Sequence, residues 1–220
     1  MVASTRLTSA ALGWSDTSDL IGGYPIWLSG WAYYIGSGQA TNDVIFFFGL
    51  RDSNINLRCS GTGSNVKLQS EGPSANVTIS VDGGSTTWKH YVCASRSSTD
   101  HELYVNGVSA GTSSTDTGSW DAVPDNCYVK AGEVSTGSST QSERHVAYFK
   151  CGTDSITDAM ALELYNNESY LPPNIFAYYP LLHPVSAASD FVDVSPNGRH
   201  GDSITGSPAA AYVGPPVVIP

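Results

Sequence analysis

The chain has 220 residues and sets 20 Asp+Glu against 10 Lys+Arg, a formal net charge of −10 at pH 7. With no basic cluster to neutralise phosphates, nucleic acid and anionic membrane surfaces are excluded as partners, and no apolar run approaches the ~18–20 residues of a membrane span. The 22 Gly and 12 Pro mark frequent turns, while 5 Trp, 12 Tyr and 6 Phe supply the interior of one large all-β domain.

Residues 1–24 are turn-rich, with one expected edge strand around Leu12 and Trp14. The first residues, Met1-Val2-Ala3-Ser4-Thr5-Arg6-Leu7, contain no apolar core of a secretory signal. The expectation is a mature chain, or one made in a cytoplasm that leaves by another route, such as a virus particle released by lysis. Tyr24 to Tyr34 is a strand of strong β formers, with Ile26 and Leu28 on one face and Trp27 and Ser29 on the other. Val44 to Leu50 is a continuous apolar run, short enough for a buried central strand. Ile55 and Leu57 alternate with Asn56 and Arg58, as a strand with one wet face should. Val66–Leu68 and Val77–Val81 follow, the latter closed by Asp82-Gly83-Gly84.

Trp88-Lys89-His90-Tyr91-Val92 then leads through a polar loop into His101-Glu102-Leu103-Tyr104-Val105-Asn106-Gly107-Val108. Asn-Gly accepts the positive φ angles of a type I′ turn, the strongest short-range hairpin signal. Leu103 and Val105 share one face and Tyr104 takes the other. Cys127–Gly132 and His145–Lys150 complete the strands. Ile156–Tyr165 is the one helix candidate, with Thr157 as N-cap and Met160, Leu164 and Tyr165 on one side, and Pro172-Pro173 prevents its continuation. Phe176–Leu182 reads as a further strand, and 183–220 as loop with a Pro-rich end. Cys59, Cys93, Cys127 and Cys151 form no Cys-x-x-Cys and are expected to be reduced, mostly buried small hydrophobes.

Short strands separated by Gly, Pro and Asp turns predict an all-β antiparallel β-sandwich (jelly roll) with one short helix and an extended C-terminal tail. Leu28-Ser29-Gly30-Trp31-Ala32, Trp88-Lys89-His90-Tyr91-Val92, Leu103-Tyr104-Val105-Asn106-Gly107 and Ile156 to Tyr165 stand in the order of a known family's motifs. Over roughly 24–170 the chain resembles the laminin-G-like, or concanavalin-A-like, lectin/glucanase family. Ala177-Tyr178-Tyr179-Pro180-Leu181-Leu182 and Asp193-Val194-Ser195-Pro196-Asn197-Gly198-Arg199-His200-Gly201 are similar to a variant of these domains in phage-encoded and marine bacterial proteins. The resemblance implies a laminin-G-like sandwich over 1–170, with 171–220 returning to pack on it or on a neighbour.

Glucanases on this fold need a paired acid and nucleophile a few Å apart, in Glu-x-Asp-x-x-Glu spacing. Glu71, Glu102, Glu133, Glu143, Glu163 and Glu168 all fail that spacing, and the five His lack metal-ligand spacing, so no enzyme activity is expected. Calcium is the cofactor the resemblance suggests, with Asp16, Asp19, Asp52, Asn54 and Asp82 as oxygen donors. These are scattered, however, and each reads more simply as a turn residue. Trp14, Trp120 and Tyr128 are the loop-side candidates for stacking on sugars, although Trp in a sandwich more often belongs to the core. Two functions follow. The first is a virion-surface capsid decoration or fibre protein, binding capsid subunits and its own copies as a homo-oligomer through its tail. The alternative is an extracellular lectin-like module that attaches to host glycans.

Overall fold

The computed structural model describes residues 4–7, 11–16, 23–35, 43–50, 55–62, 65–82, 87–119, 127–131, 143–182, 190–201, 203–205 and 209–211. In chain order they form β1 (Ser4–Leu7), β2 (Ala11–Asp16), β3 (Ile26–Ile35), β4 (Asp43–Leu50), β5 (Ile55–Thr62), β6 (Asn65–Glu71), β7 (Asn76–Asp82) and β8 (Trp88–Ser97). After these come β9 (Asp100–Val105), β10 (Val108–Ser113), β11 (Cys127–Ala131), β12 (Glu143–Gly152), α1 (Asp158–Asn166), β13 (Ile175–Tyr179), β14 (Ser203–Thr205) and β15 (Ala209–Ala211).

Two antiparallel sheets face each other, the all-β sandwich with one short helix that the alternation predicts. A front sheet runs β10-β9-β8-β3-β12-β1-β15, with β13 also paired to β12, and a back sheet runs β14-β2-β11-β4-β5-β6-β7. Asn106 (φ 52°) and Gly107 (φ 77°) make the expected left-handed turn between β9 and β10. β4 lies centrally, and Val44 to Phe48 are buried.

The chain ends depart from expectation. Residues 11–16 are not an edge strand, because β14 and β11 flank β2, and β1 pairs β12 and β15 in the other sheet. The stretch 183–220 is not all loop, since it supplies β14 and β15. Each is a strand of only three residues, Ser-Ile-Thr and Ala-Ala-Ala, too short for an alternation to show.

The core lies between the sheets. Ile26 and Leu28 of β3 face it with Cys93, Leu103, Leu57, Leu68 and Val129. Phe46 stacks on Phe149 at 4.7 Å, and Tyr179 on Phe191 at 3.9 Å. Phe46 reaches the front sheet because position 30 is glycine: a Cβ there would stand 2.5 Å from the Phe46 ring.

β12 contains one extra residue. Ala147 opposes Trp31 and Lys150 opposes Ser29, so three steps on β12 match two on β3. The surplus residue, Tyr148, adopts φ 54° and donates its amide to the Pro180 carbonyl at 2.8 Å. Because side chains alternate with period two, this bulge inverts the phase. Val146 before it and Phe149 and Cys151 after it all face the core, while Lys150 is held on the outer face.

After β13 the segment 190–201 is organised around one carboxylate. Asp193, 3% exposed, accepts from the amides of Tyr178 (2.8 Å), Ser195 (2.8 Å) and Arg199 (2.7 Å) and from Ser195 Oγ (2.9 Å). Arg199 in turn lies 3.9 Å from the Phe176 ring and donates to the Phe176 carbonyl at 3.0 Å. Truncating the carboxylate strands two buried amides and one half-buried one, each of which costs energy when left unmet. Asp193→Ala is expected to lose about 3 kcal/mol or more of stability, read from the urea midpoint, whereas Val194→Ala next to it should shift the midpoint little.

Candidate functional site: the outer face of the front sheet

The front sheet buries side chains on both faces. On the side away from the core its three central strands set side chains in rows, fixed by register. Trp88, Tyr33 and His145 form one row across β8, β3 and β12, and His90, Trp31 and Ala147 the next. Val92, Ser29 and Lys150 follow, and Ala94, Trp27 and Gly152 close the series.

Helix α1 covers the last of these rows. Thr157 caps it, accepting from the Met160 amide at 3.3 Å, and Asp158 stands in the first turn, where a carboxylate suits the positive end of the dipole. Ile156, Ala161 and Leu164 pack on Trp27, Val92, Ala94 and Tyr104. The expected helical face is therefore present in Met160 and Leu164, while Tyr165 turns toward Trp31 instead, 5.5 Å away.

A polar network pins the start of the helix. Arg96 pairs with Glu102 and with Asp100 (2.8 Å), and donates to the Ile156 carbonyl at 2.6 Å. Tyr104 Oη lies 2.7 Å from Glu102 Oε2 and 2.9 Å from Asp158 Oδ1. Burial pushes the Glu102 carboxyl up, but hydrogen bonds from Arg96, Ser109 and Tyr104 outweigh it and hold the group below its ordinary value. Burial, with the carboxylates of Glu102 and Asp158, raises the Tyr104 phenol.

The middle rows lie under the chain that leaves the helix. Lys150, 1% exposed, donates to the carbonyls of Glu168 (2.7 Å) and Tyr170 (2.9 Å), and its ammonium lies 4.8 Å from the Tyr178 ring. Burial lowers its pKa to about 7, against the opposing pull of Glu168. His90 Nε2 is 3.3 Å from Ser29 Oγ, while its Nδ1 is buried with no hydrogen-bond partner. Burial, and then the charge of Lys150, lower His90 to about 3, so its imidazole is neutral.

Among the described residues the first row is the least covered of the four. Tyr33, Trp88 and His145 are each half-buried. Tyr33 stands 5.9 Å from Trp88 and 5.5 Å from His145, and Trp88 and His145 are 6.3 Å apart. Trp88 Nε1 makes no hydrogen bond. Three rings with polar edges thus share one face, positioned by the backbone ladder. Elsewhere on this sheet an open groove of about 390 Å³ separates the β9–β10 turn from α1, lined by Gly107, Val108, Ser109, Asp158, Ala159 and Leu162.

The residues singled out in the sequence fall elsewhere. Trp14 is not at a loop: it is 8% exposed, edge-on to Phe176 at 5.6 Å, because β2 is an interior strand of the back sheet. Trp120 lies outside the described residues, and Tyr128 is on β11 opposite Ser15 and Gly49 with its side chain outside the description. Asp16 ends β2 opposite Cys127, again without a described side chain, and Asp19, Asp52 and Asn54 lie outside the described residues. Asp82 is exposed at the end of β7, where its carbonyl accepts from Lys89 Nζ at 3.1 Å. Among the described residues no group of three or more His, Cys, Asp or Glu is placed to hold a metal ion. Tyr33 and His145 were missed because only register joins them to Trp88. The available signal was the alternation Trp27, Ser29, Trp31, Tyr33 on the phase opposite the core.

No protein-family model matches the sequence, and no curated protein matches it. Solved structures do match. The binding domain of Paraclostridial Mosquitocidal Protein 1 superposes with a TM-score of 0.54 at 11% identity, over 74% of this chain and 43% of that one. A botulinum neurotoxin type C structure, of a toxin whose passage into cells depends on interaction with two ganglioside molecules, gives 0.52 at 9%, over 67% and 37%. The botulinum neurotoxin serotype D binding domain gives 0.51 at 9%, over 70% and 42%. At these identities the likeness is one of fold, a β-sandwich. The chain spans about two-fifths of the length of these structures.

Burial of Lys150 fixes a pH dependence. The unfolded chain holds its proton up to the ordinary value of 10.5, and the folded chain releases it from about 7. Between those values the unfolded state binds more protons, so stability rises with pH by up to about 1.4 kcal/mol per unit; below the lower value both states are protonated and the slope vanishes. Urea midpoints should climb from pH 7 to about 8, below the ordinary range of thiol and phenol ionisation, above which the raised Cys93 and tyrosine groups oppose the trend. In Lys150→Met that climb should disappear.

Proposed function

We propose that this chain is a non-enzymatic carbohydrate-binding module that holds a cell-surface glycan against the open aromatic row of the front sheet. The row of Tyr33, Trp88 and His145 carries the reading. A pyranose presents a face of C–H groups ringed by hydroxyls. An array of ring faces with polar edges complements both, stacking on the first and hydrogen-bonding the second.

The neighbouring structures support this reading over capsid decoration, since they are binding domains and one toxin among them depends on gangliosides. The fold supports it as well. The tail that suggested a clamp on a neighbouring subunit is paired within the chain through β14 and β15. No carboxylates have the glucanase spacing in the sequence, consistent with binding without cleavage. The module would act outside the cell that makes it, on host or neighbouring surfaces.

A glycan array, read with calcium and with EDTA, tests the proposal directly. Reproducible binding is expected, and the EDTA arm decides whether calcium takes part. Trp88→Ala and Tyr33→Ala should each weaken binding about tenfold or more, the equivalent of about 1.4 kcal/mol per ring. Val108→Ser, in the groove beside the hairpin turn, should leave binding unchanged. A silent array, or affinity indifferent to both ring deletions, removes the proposal.

A further inference from the structure

Tyr165 sits on the second row of the outer face as a ring ligand would. Its ring centre lies 5.5 Å from that of Trp31, with 32° between the planes, and 6.0 Å from that of His90. Trp31 and His90 are themselves 5.5 Å apart, and both are buried. Trp88 of the first row and Tyr165 pack against the same cluster, the one that contains Trp31. The two rows are therefore contiguous. Tyr33 to Trp31 and Trp88 to His90 are each a step of two residues along a strand, about 7 Å, roughly the width of one sugar ring.

The ring is held differently from the helix that carries it. Ala161 and Leu164, with Ile156 ahead of them, anchor α1 on Trp27, Val92, Ala94 and Tyr104. Tyr165 belongs to the other cluster and stands one residue before the end of the helix at Asn166. Among the described residues its side chain is held by ring and apolar contacts, with no hydrogen bond to its phenol. Rotation of this one side chain would uncover the row and leave the helix anchored. The covered row also contains an unmet polar atom. His90 is 2% exposed, its Nε2 is 3.3 Å from Ser29 Oγ, and its Nδ1 has no hydrogen-bond partner. A buried nitrogen left unpaired costs energy that a hydroxyl would recover.

We infer that the row of Trp31 and His90 is a second sugar subsite and that Tyr165 is its built-in plug. The inference rests on the carbohydrate-binding reading of the first row. A single sugar occupies the row of Tyr33, Trp88 and His145 and leaves Tyr165 in place. A longer glycan extends along the strands and displaces the Tyr165 ring. Its second sugar then stacks on Trp31 and brings hydroxyls to His90. A ligand that needs the row uncovered loses affinity in proportion to how seldom the plug is out. Removing the ring therefore strengthens the longer glycan and not the single sugar.

The test titrates linear β-glucan, β-galactan and chitin oligosaccharides, from the monosaccharide to the tetrasaccharide, into the full chain, Tyr165→Ala and Tyr165→Phe by calorimetry. In whichever series the unaltered chain binds, Tyr165→Ala should hold the disaccharide and longer members roughly three- to tenfold tighter. The monosaccharide should change by less than about twofold, and Tyr165→Phe, which keeps the ring, should match the unaltered chain. A second readout needs no substitution. In the unaltered chain the NMR signals of the Tyr165 and His90 rings should move with the disaccharide and longer members, and far less with the monosaccharide. Equal gains at every length, no gain, weaker binding without the Tyr165 ring, or ring signals indifferent to length each overturn the inference and leave the first row as the site. Binding of no series by any of the three chains removes the carbohydrate reading itself, and the plug with it.

Discussion

From Ile26 to Ala32 strand β3 has no wet face, and the architecture of the front sheet follows from that. Its inward residues, Ile26, Leu28 and Ala32, close the core, and its outward residues, Trp27 and Trp31, are equally buried. An antiparallel sheet ordinarily leaves one side to solvent. Here the outer side must be covered, and the cover is one helix of nine residues, roughly 14 Å long, with the chain that leaves it. β3 itself has ten residues and at strand rise is about twice that length. A cover so short reaches the rows of Trp27 and Ser29 and, through Tyr165, that of Trp31. It does not bury the row of Tyr33. The candidate binding surface is the part of a sheet covered on both sides that its helix is too short to hide.

The bulge at Tyr148 belongs to the same economy of faces. Without the extra residue, the alternation would carry Lys150 into the core and Phe149 out of it. With it, Phe149 stacks on Phe46, and the Lys150 ammonium meets two carbonyls in the segment that follows the helix. The displaced amide of Tyr148 finds the Pro180 carbonyl beyond β13. One inserted residue thereby joins three parts of the chain that sequence separates. A buried amine without a carboxylate partner is costly, and here the cost is borne by hydrogen bonds that anchor the cover.

Much of this was legible in the sequence wherever one local signal sufficed. Alternation assigned the faces of Ile26, Trp27 and Leu28, Asn106-Gly107 located the hairpin, and Thr157 marked the helix start. What stayed hidden needed the partner strand. Tyr33, Trp88 and His145 lie far apart in sequence and become one surface only when β8, β3 and β12 pair in register. Trp14 was misread for the converse reason. Near a chain end a tryptophan looks available for stacking, but β14 returns from the far end of the chain to flank its strand, and Arg199 lies 5.7 Å from its ring. The three-residue strands β14 and β15 left no periodicity to detect.

The position of the open row also bears on how it would hold a ligand. Its three rings stand on adjacent central strands of the front sheet, and each ring touches the other two. Residues on regular elements, braced by neighbours, lose little freedom when a ligand arrives, so more of the contact energy is retained as affinity. The groove beside the hairpin differs. Val108 (66% exposed) and Leu162 (46% exposed) come from a turn-side strand end and a helix surface, with Ser109 and Asp158 as their polar neighbours. It offers apolar contact without a ring face. A sugar, which needs a flat apolar surface and donors in fixed positions, is better matched by the row than by the groove.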